Sequence, residues 1–288
     1  MPASVVVAGL MIGVAVTYST GSKTNQFQES AASVRSIGGG EKGVAQAIEL
    51  PVAWGDLGAQ MIAAGVIDRA RLEALYVRRG GLNDYEKQLL EGSGEKLMVT
   101  PENSGFILNL LWAFGLSNKN EILEEGPMAD PRYGGAGQFA STGGWTIAKG
   151  DAMDHYSKHR FISLTAEQQA LVERVSKNIY RPCCGNSTYF PDCNHGMAML
   201  GLLELLAFQG ASEEQMYSSA LVMNSYWFPE QYAVIARYLE SKGASFQSVD
   251  PKEILGAAYS SGSGIQRVAS LIPPEAKAEK QQGGGCGV

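Results

Sequence analysis

The chain has 288 residues, of which 45% are hydrophobic, enough to bury a substantial core and too many for a disordered polymer. Its formal net charge is −6, and no basic stripe is present to neutralise phosphates, which argues against nucleic acid as a partner. Four cysteines and three histidines are few, so their placement carries more information than their number.

From Ala3 to Tyr18 the chain is uncharged, and only Ser4 and Thr17 are clearly polar. The run is shorter than the roughly 20 residues of a typical membrane span and suits a secretory apolar segment. No Lys or Arg precedes it and no clean A-x-A site follows, so residues 1–20 read as an uncleaved signal anchor in preference to a signal peptide. Residues 21–43 then form a polar stalk, and the remainder lies on the extracytoplasmic face, at the cell surface or in a periplasm. Thiols oxidise there unless a metal or a reductant protects them.

Residues 44–260 read as one mainly α, compact multi-helix domain. Trp54 to Gly81 predicts two helices broken at Gly65, the second capped by Asp68, with Leu72, Leu75 and Tyr76 on one face. Leu82 to Leu90 is a third helix, and Ser104 to Leu116 is apolar enough to form the centre. Gly126 to Gly150 is a long Gly-rich loop anchored by Tyr133, Phe139 and Trp145. Gly135 to Ala140 fits a loose dinucleotide fingerprint, but no strand precedes it, so that reading is set aside. Helical pattern resumes at Asp151 to His159, then after a capping box at Thr165 and Gln168. His195 to Gln209 predicts a buried helix stopped by Gly210, and Ser212 with Gln215 opens another. Two shorter helical segments follow, and residues 261–288 read as a flexible Gly-rich tail carrying Cys286.

The chemistry concentrates in RPCCGNSTYFPDCNHGMAM, Arg181 to Met199. Cys183, Cys184, Cys193 and His195 are four soft or borderline donors, enough for a tetrahedral zinc site or for copper. Adjacent Cys183 and Cys184 can both bind only where the backbone turns sharply, and Pro182 and Gly185 permit such a turn. A helix starting near Cys193 or Asn194, with Asp192 or Asn194 as a fitting cap, places thiols where partial positive charge favours the thiolate. Met197 and Met199 follow at helical spacing and fit the core as well as a metal.

The leading function is therefore soft-metal binding for sequestration, delivery or sensing. The same cysteines also fit thiol–disulfide exchange, with Cys183 or Cys184 attacking and Cys193 resolving, or a structural disulfide that closes a loop. A mobile Cys286 can visit the cluster or cross-link to another molecule. His155 and His159, with Asp151, share one face if their segment is helical and form a second candidate metal site. No hydrolase or haem motif is present, and no catalytic residue is assigned.

The stretches Gly134 to His159 and Asn178 to Leu206, with their CC-x(8)-CNHG signature, resemble a family of N-terminally anchored prokaryotic proteins of no known activity. The resemblance spans the central part of the chain and implies no catalytic role for any residue.

Overall fold

The computed structural model describes residues 47–92 and 96–272. The expected anchor and stalk, and Cys286, lie outside the described residues. Among the described residues, no helix is long and apolar enough to cross a membrane.

The expected mainly helical domain is observed, with one small sheet that the sequence pattern does not announce. Strand β1 (Ile48–Ala53) pairs antiparallel with β2 (Lys96–Val99), Ile48 opposite Val99 and Glu49 opposite Met98. Ile48, Leu50 and Val52 face inward, as alternation in a strand requires. Between the strands lie α1 (Leu57–Ala63), α2 (Arg69–Tyr76) and α3 (Asp84–Glu91). Gly65 adopts a left-handed φ of 79°, which ends the first of these where the sequence predicts a break. Asp68 accepts from the Arg71 N–H as the predicted cap of α2.

Two helices make the centre. Helix α4 (Ser104–Ser117) and, further along, α7 (Asn194–Phe208) are apolar on every side and almost wholly buried, the pattern of helices surrounded by protein. They touch backbone to backbone. A Cβ on Gly115 would land on the Met197 carbonyl, and one on Gly201 would sit 2.6 Å from the Leu111 carbonyl oxygen. Side chains larger than hydrogen would force the pair apart.

Helix α5 (Glu121–Glu125) follows α4 and leads into the Gly-rich loop. That loop is ordered by three 3₁₀ turns and by its tryptophan: Trp145 is buried, donates to the Val66 carbonyl at 2.9 Å and packs edge-on to Trp112. Helix α6 (Ala166–Ser176) carries the predicted Thr165–Gln168 capping box, and α8 (Glu213–Trp227) the Ser212–Gln215 box. Helix α9 (Pro229–Ser241) precedes a C-terminal hairpin of α10 (Pro251–Leu255), α11 (Ala257–Ser260) and α12 (Gly262–Ser270).

Two expectations change. Residues from Gly262 to Ser270, expected within a flexible tail, form α12, because Ser261 caps the helix, Val268 is buried and the helix packs on α9. The segment from Asp151 to His159 is not a regular helix. It makes one 3₁₀ turn at Ala152–Asp154, then Ser157 takes a left-handed φ of 53° and a bridge joins Asn118 to His159.

Candidate metal centre

The cysteine loop runs between α6 and α7 and is fastened at several points. The Tyr180 N–H donates to Leu255 at 2.8 Å, and the Asn224 amide donates to the Tyr180 carbonyl at 3.0 Å. The Thr188 N–H closes the loop on Ile179 at 2.8 Å. From the C-terminal hairpin, the Gly262 N–H donates to the Cys184 carbonyl at 2.7 Å. From the Gly-rich loop, the Ser141 N–H donates to the Asp192 carbonyl at 3.1 Å. The donors therefore sit on a backbone held from three remote parts of the chain: the Gly-rich loop, α8 and the C-terminal hairpin.

Arg181 is the centre of the loop. It is 1% exposed, and its guanidinium is almost fully engaged. Nε donates to Cys193 Sγ at 3.1 Å, Nη1 to the Asn186 carbonyl at 3.2 Å, and Nη2 to the Phe190 carbonyl at 3.2 Å and Asp192 Oδ1 at 2.8 Å. The other Asp192 oxygen, Oδ2, accepts from the Asn186 amide at 2.7 Å. A buried cation requires this density of partners, because an unpaired one costs several kcal/mol in desolvation. Sequence reasoning missed Arg181, since nothing local distinguishes it from a solvated arginine.

The cap of α7 is the thiol itself. Cys193, rather than Asp192 or Asn194, occupies the N-cap and accepts from the Gly196 N–H at 3.4 Å. Asp192 is instead committed to Arg181 and Asn186. Cys183 Sγ lies 3.7 Å from Cys193 Sγ. Cys183, Cys193 and His195 offer donor atoms all within 4.8 Å of one another, as do Cys184, Asp192 and Cys193. The two groups share Cys193, and in the second both oxygens of Asp192 are already engaged by Arg181 and Asn186. The His195 ring rests against Phe228, centroids 4.5 Å apart, and edge-on to Trp227.

The electrostatics of the three thiols are divided. The neighbouring Cys183 and Cys184 thiols, helped by His195 and the Arg181 charge, hold Cys193 below the usual thiol range despite its burial. Cys184 and Cys193, together with burial, push Cys183 up. For Cys184 the bond with Cys183 works downward, but Cys193 and burial outweigh it and the thiol rises. Of the three thiols, Cys193 is the one shifted downward, in keeping with the expectation that the start of this helix favours a thiolate. None of the three cysteines of this loop is in a disulfide, and Cys183 is the exposed one.

Met197 and Met199 are fully buried core residues. Asp151 is engaged as a cap, accepting from the Met153 N–H at 2.8 Å. His155 and His159 do meet, through the turn at Ser157 rather than along a helix face: their rings stack at 5.3 Å and Nδ1 of His155 lies 3.0 Å from Nε2 of His159. The second His155 nitrogen contacts the Lys149 carbonyl at 3.0 Å, so this imidazole has both nitrogens engaged. Neither histidine belongs to a group of three donors with the cysteines.

A second buried polar centre lies further along α7. Glu204 is 0% exposed and accepts from the Asn118 amide at 2.6 Å. Burial pushes its carboxyl up to about 8, against the opposing influence of the neighbouring Asn118 and Asn120 amides. The signal was present in the sequence as a lone Glu inside GLLELLAF, a run otherwise without charge.

Comparisons with protein-family models, with curated proteins and with solved structures find no match to this chain.

Proposed function

We propose that this protein binds a soft transition-metal ion, copper or zinc, through Cys183, Cys184, Cys193 and His195, for sequestration, delivery or sensing. One observation carries the reading: the Cys183 and Cys193 sulfurs stand 3.7 Å apart. A zinc ion holding two thiolates at roughly 2.3 Å with tetrahedral angles sets them about 3.8 Å apart. The sulfurs are therefore already spaced for a shared ion; His195 lies in the same donor group, and Cys184 in a second group that shares Cys193.

The surroundings support the same chemistry. Arg181 donates to the Cys193 sulfur, which orients that ligand and offsets the negative charge that three thiolates bring to the site. Cys183 is exposed, so an ion can enter and leave, which suits exchange better than a permanent structural role. An extracytoplasmic, anchored location belongs to the same proposal and is supported by the uncharged run from Ala3 to Tyr18.

The test is elemental analysis of full-length protein purified anaerobically, beside a Cys183→Ser/Cys184→Ser/Cys193→Ser triple variant. Near-stoichiometric copper or zinc in the parent and its loss in the variant support the reading. Metal-free parent protein that also fails to take up either ion overturns it.

A further inference from the structure

The same loop holds what a two-step thiol oxidation needs, independently of any ion. Cys193 Sγ accepts two N–H groups, Arg181 Nε at 3.1 Å and Gly196 N at 3.4 Å, at the start of the 15-residue helix α7. A sulfur accepting from a guanidinium and a helix N-terminus is polarised as a nucleophile. A second thiol, Cys183, stands 3.7 Å away and faces solvent. Closing that gap to a disulfide of about 2.05 Å needs only a small movement of the exposed side chain. Cys184, the third thiol, instead points its sulfur toward the Asn186 carbonyl at 3.8 Å.

We propose that Cys193 reduces small hydroperoxides, with Cys183 as the resolving thiol. In the first step the Cys193 thiolate attacks the terminal peroxide oxygen. The S–O bond forms as the O–O bond breaks, sulfur is oxidised by two electrons, and the leaving alkoxide or hydroxide takes a proton from solvent. In the second step the Cys183 sulfur attacks the Cys193 sulfenic acid. The S–S bond forms, the S–O bond breaks, and the departing hydroxide leaves as water with the Cys183 proton. An external dithiol returns the pair to the reduced state by exchange, itself becoming the disulfide.

The structure distinguishes this order of roles from the reverse. Cys183 has no guanidinium or helix terminus at its sulfur, and its exposure suits attack on a neighbour and later exchange with a reductant. Arg181 acts as a positioning residue, since its contact is with Cys193 and its remaining donors are engaged by Asn186, Phe190 and Asp192.

The experiment uses the full-length chain, reduced, stripped of metal with a chelator and mixed with equimolar hydrogen peroxide. Dimedone traps sulfenic acid, and peptide mapping reads each cysteine. The expected product is a Cys183–Cys193 disulfide, with Cys193 consumed about tenfold faster than Cys184 in the same molecules. Cys183→Ser is expected to accumulate the dimedone adduct on Cys193. A disulfide through Cys184 or Cys286, an adduct on Cys183, or Cys193 reacting no faster than Cys184 overturns the proposal. The rate comparison is made within the parent protein, so a variant that misfolds does not shelter it. Because the protein is metal-free throughout, failure here leaves the metal reading standing, and failure of the metal reading leaves this one standing.

Discussion

The guanidinium of Arg181 occupies the place where a Cβ of Gly196 would project. A methyl there would come 2.5 Å from Cζ and closer still to Nη2. The clash is with a buried cation whose partners fix it on several sides, so neither group can yield cheaply. Gly196→Ala is expected to destabilise the fold by about 1–3 kcal/mol, the usual cost of overpacking, and to loosen the Cys193 contact. Denaturant unfolding measures the first effect, and the rate at which a thiol reagent modifies Cys193 measures the second.

Gly115→Ala and Gly201→Ala invert the usual helix rule. In an exposed helix interior, replacing Gly by Ala gains roughly 0.5–1 kcal/mol. Here the added carbon meets backbone of the facing helix, with Gly201 N at 2.9 Å from a Cβ on Gly115. Each variant is expected to lower stability by about 1–3 kcal/mol or more, read as a fall in the denaturant midpoint. A midpoint that rises would show that α4 and α7 do not meet at these glycines.

Glu204 predicts a pH dependence of stability with a definite sign. Its carboxyl is raised by burial to about 8 in the folded protein, against an ordinary value of 4.5. Between those values the folded state holds a proton that the unfolded state releases, so stability is full below about pH 4.5 and falls as pH rises toward 8. The slope from this group approaches about 1.4 kcal/mol per pH unit at its steepest. Glu204→Gln keeps an amide in place of the protonated acid and is expected to flatten that part of the curve. Unfolding free energies of parent and variant at several pH values check it.

His159 behaves oppositely. Burial, with His155 beside it, lowers its value from the ordinary 6.5. The folded state therefore binds its proton less readily than the unfolded state, and this contribution to stability is lost as pH falls below 6.5. Titration followed by NMR is expected to place the His159 midpoint below 6.5, and a midpoint above it would contradict the stacked geometry with His155 and Phe161.

What the sequence made legible was whatever is decided within a few residues. Asp68, Thr165 with Gln168, and Ser212 with Gln215 cap helices through bonds to their own first turn, so their pattern suffices. Gly65 and Gly210 stop helices because their φ values of 79° and 81° suit glycine. A Cys/His cluster around Cys193 was legible for the same reason, since one short loop carries Cys183, Cys184, Cys193 and His195. Tertiary pairing decided the rest. His159 leaves a helical path because its N–H and that of Ser157 bond to the end of α4, at Ser117 and Leu116. Helix α12 was hidden by a Gly- and Ser-rich composition that only its packing on α9 overrides. Arg181 was invisible because its burial depends on carbonyls and a carboxylate brought round by the loop.

The most direct measurement is a cobalt(II) titration of the reduced full-length protein, followed by its visible and sulfur-to-metal charge-transfer absorption. A site of three cysteines and one histidine predicts saturation at one ion per chain, a tetrahedral visible spectrum, displacement by zinc, and loss of the sulfur band in the Cys183/Cys184/Cys193 triple serine variant. An octahedral spectrum without a sulfur band, or one that survives in the triple variant, would contradict a metal centre at this loop.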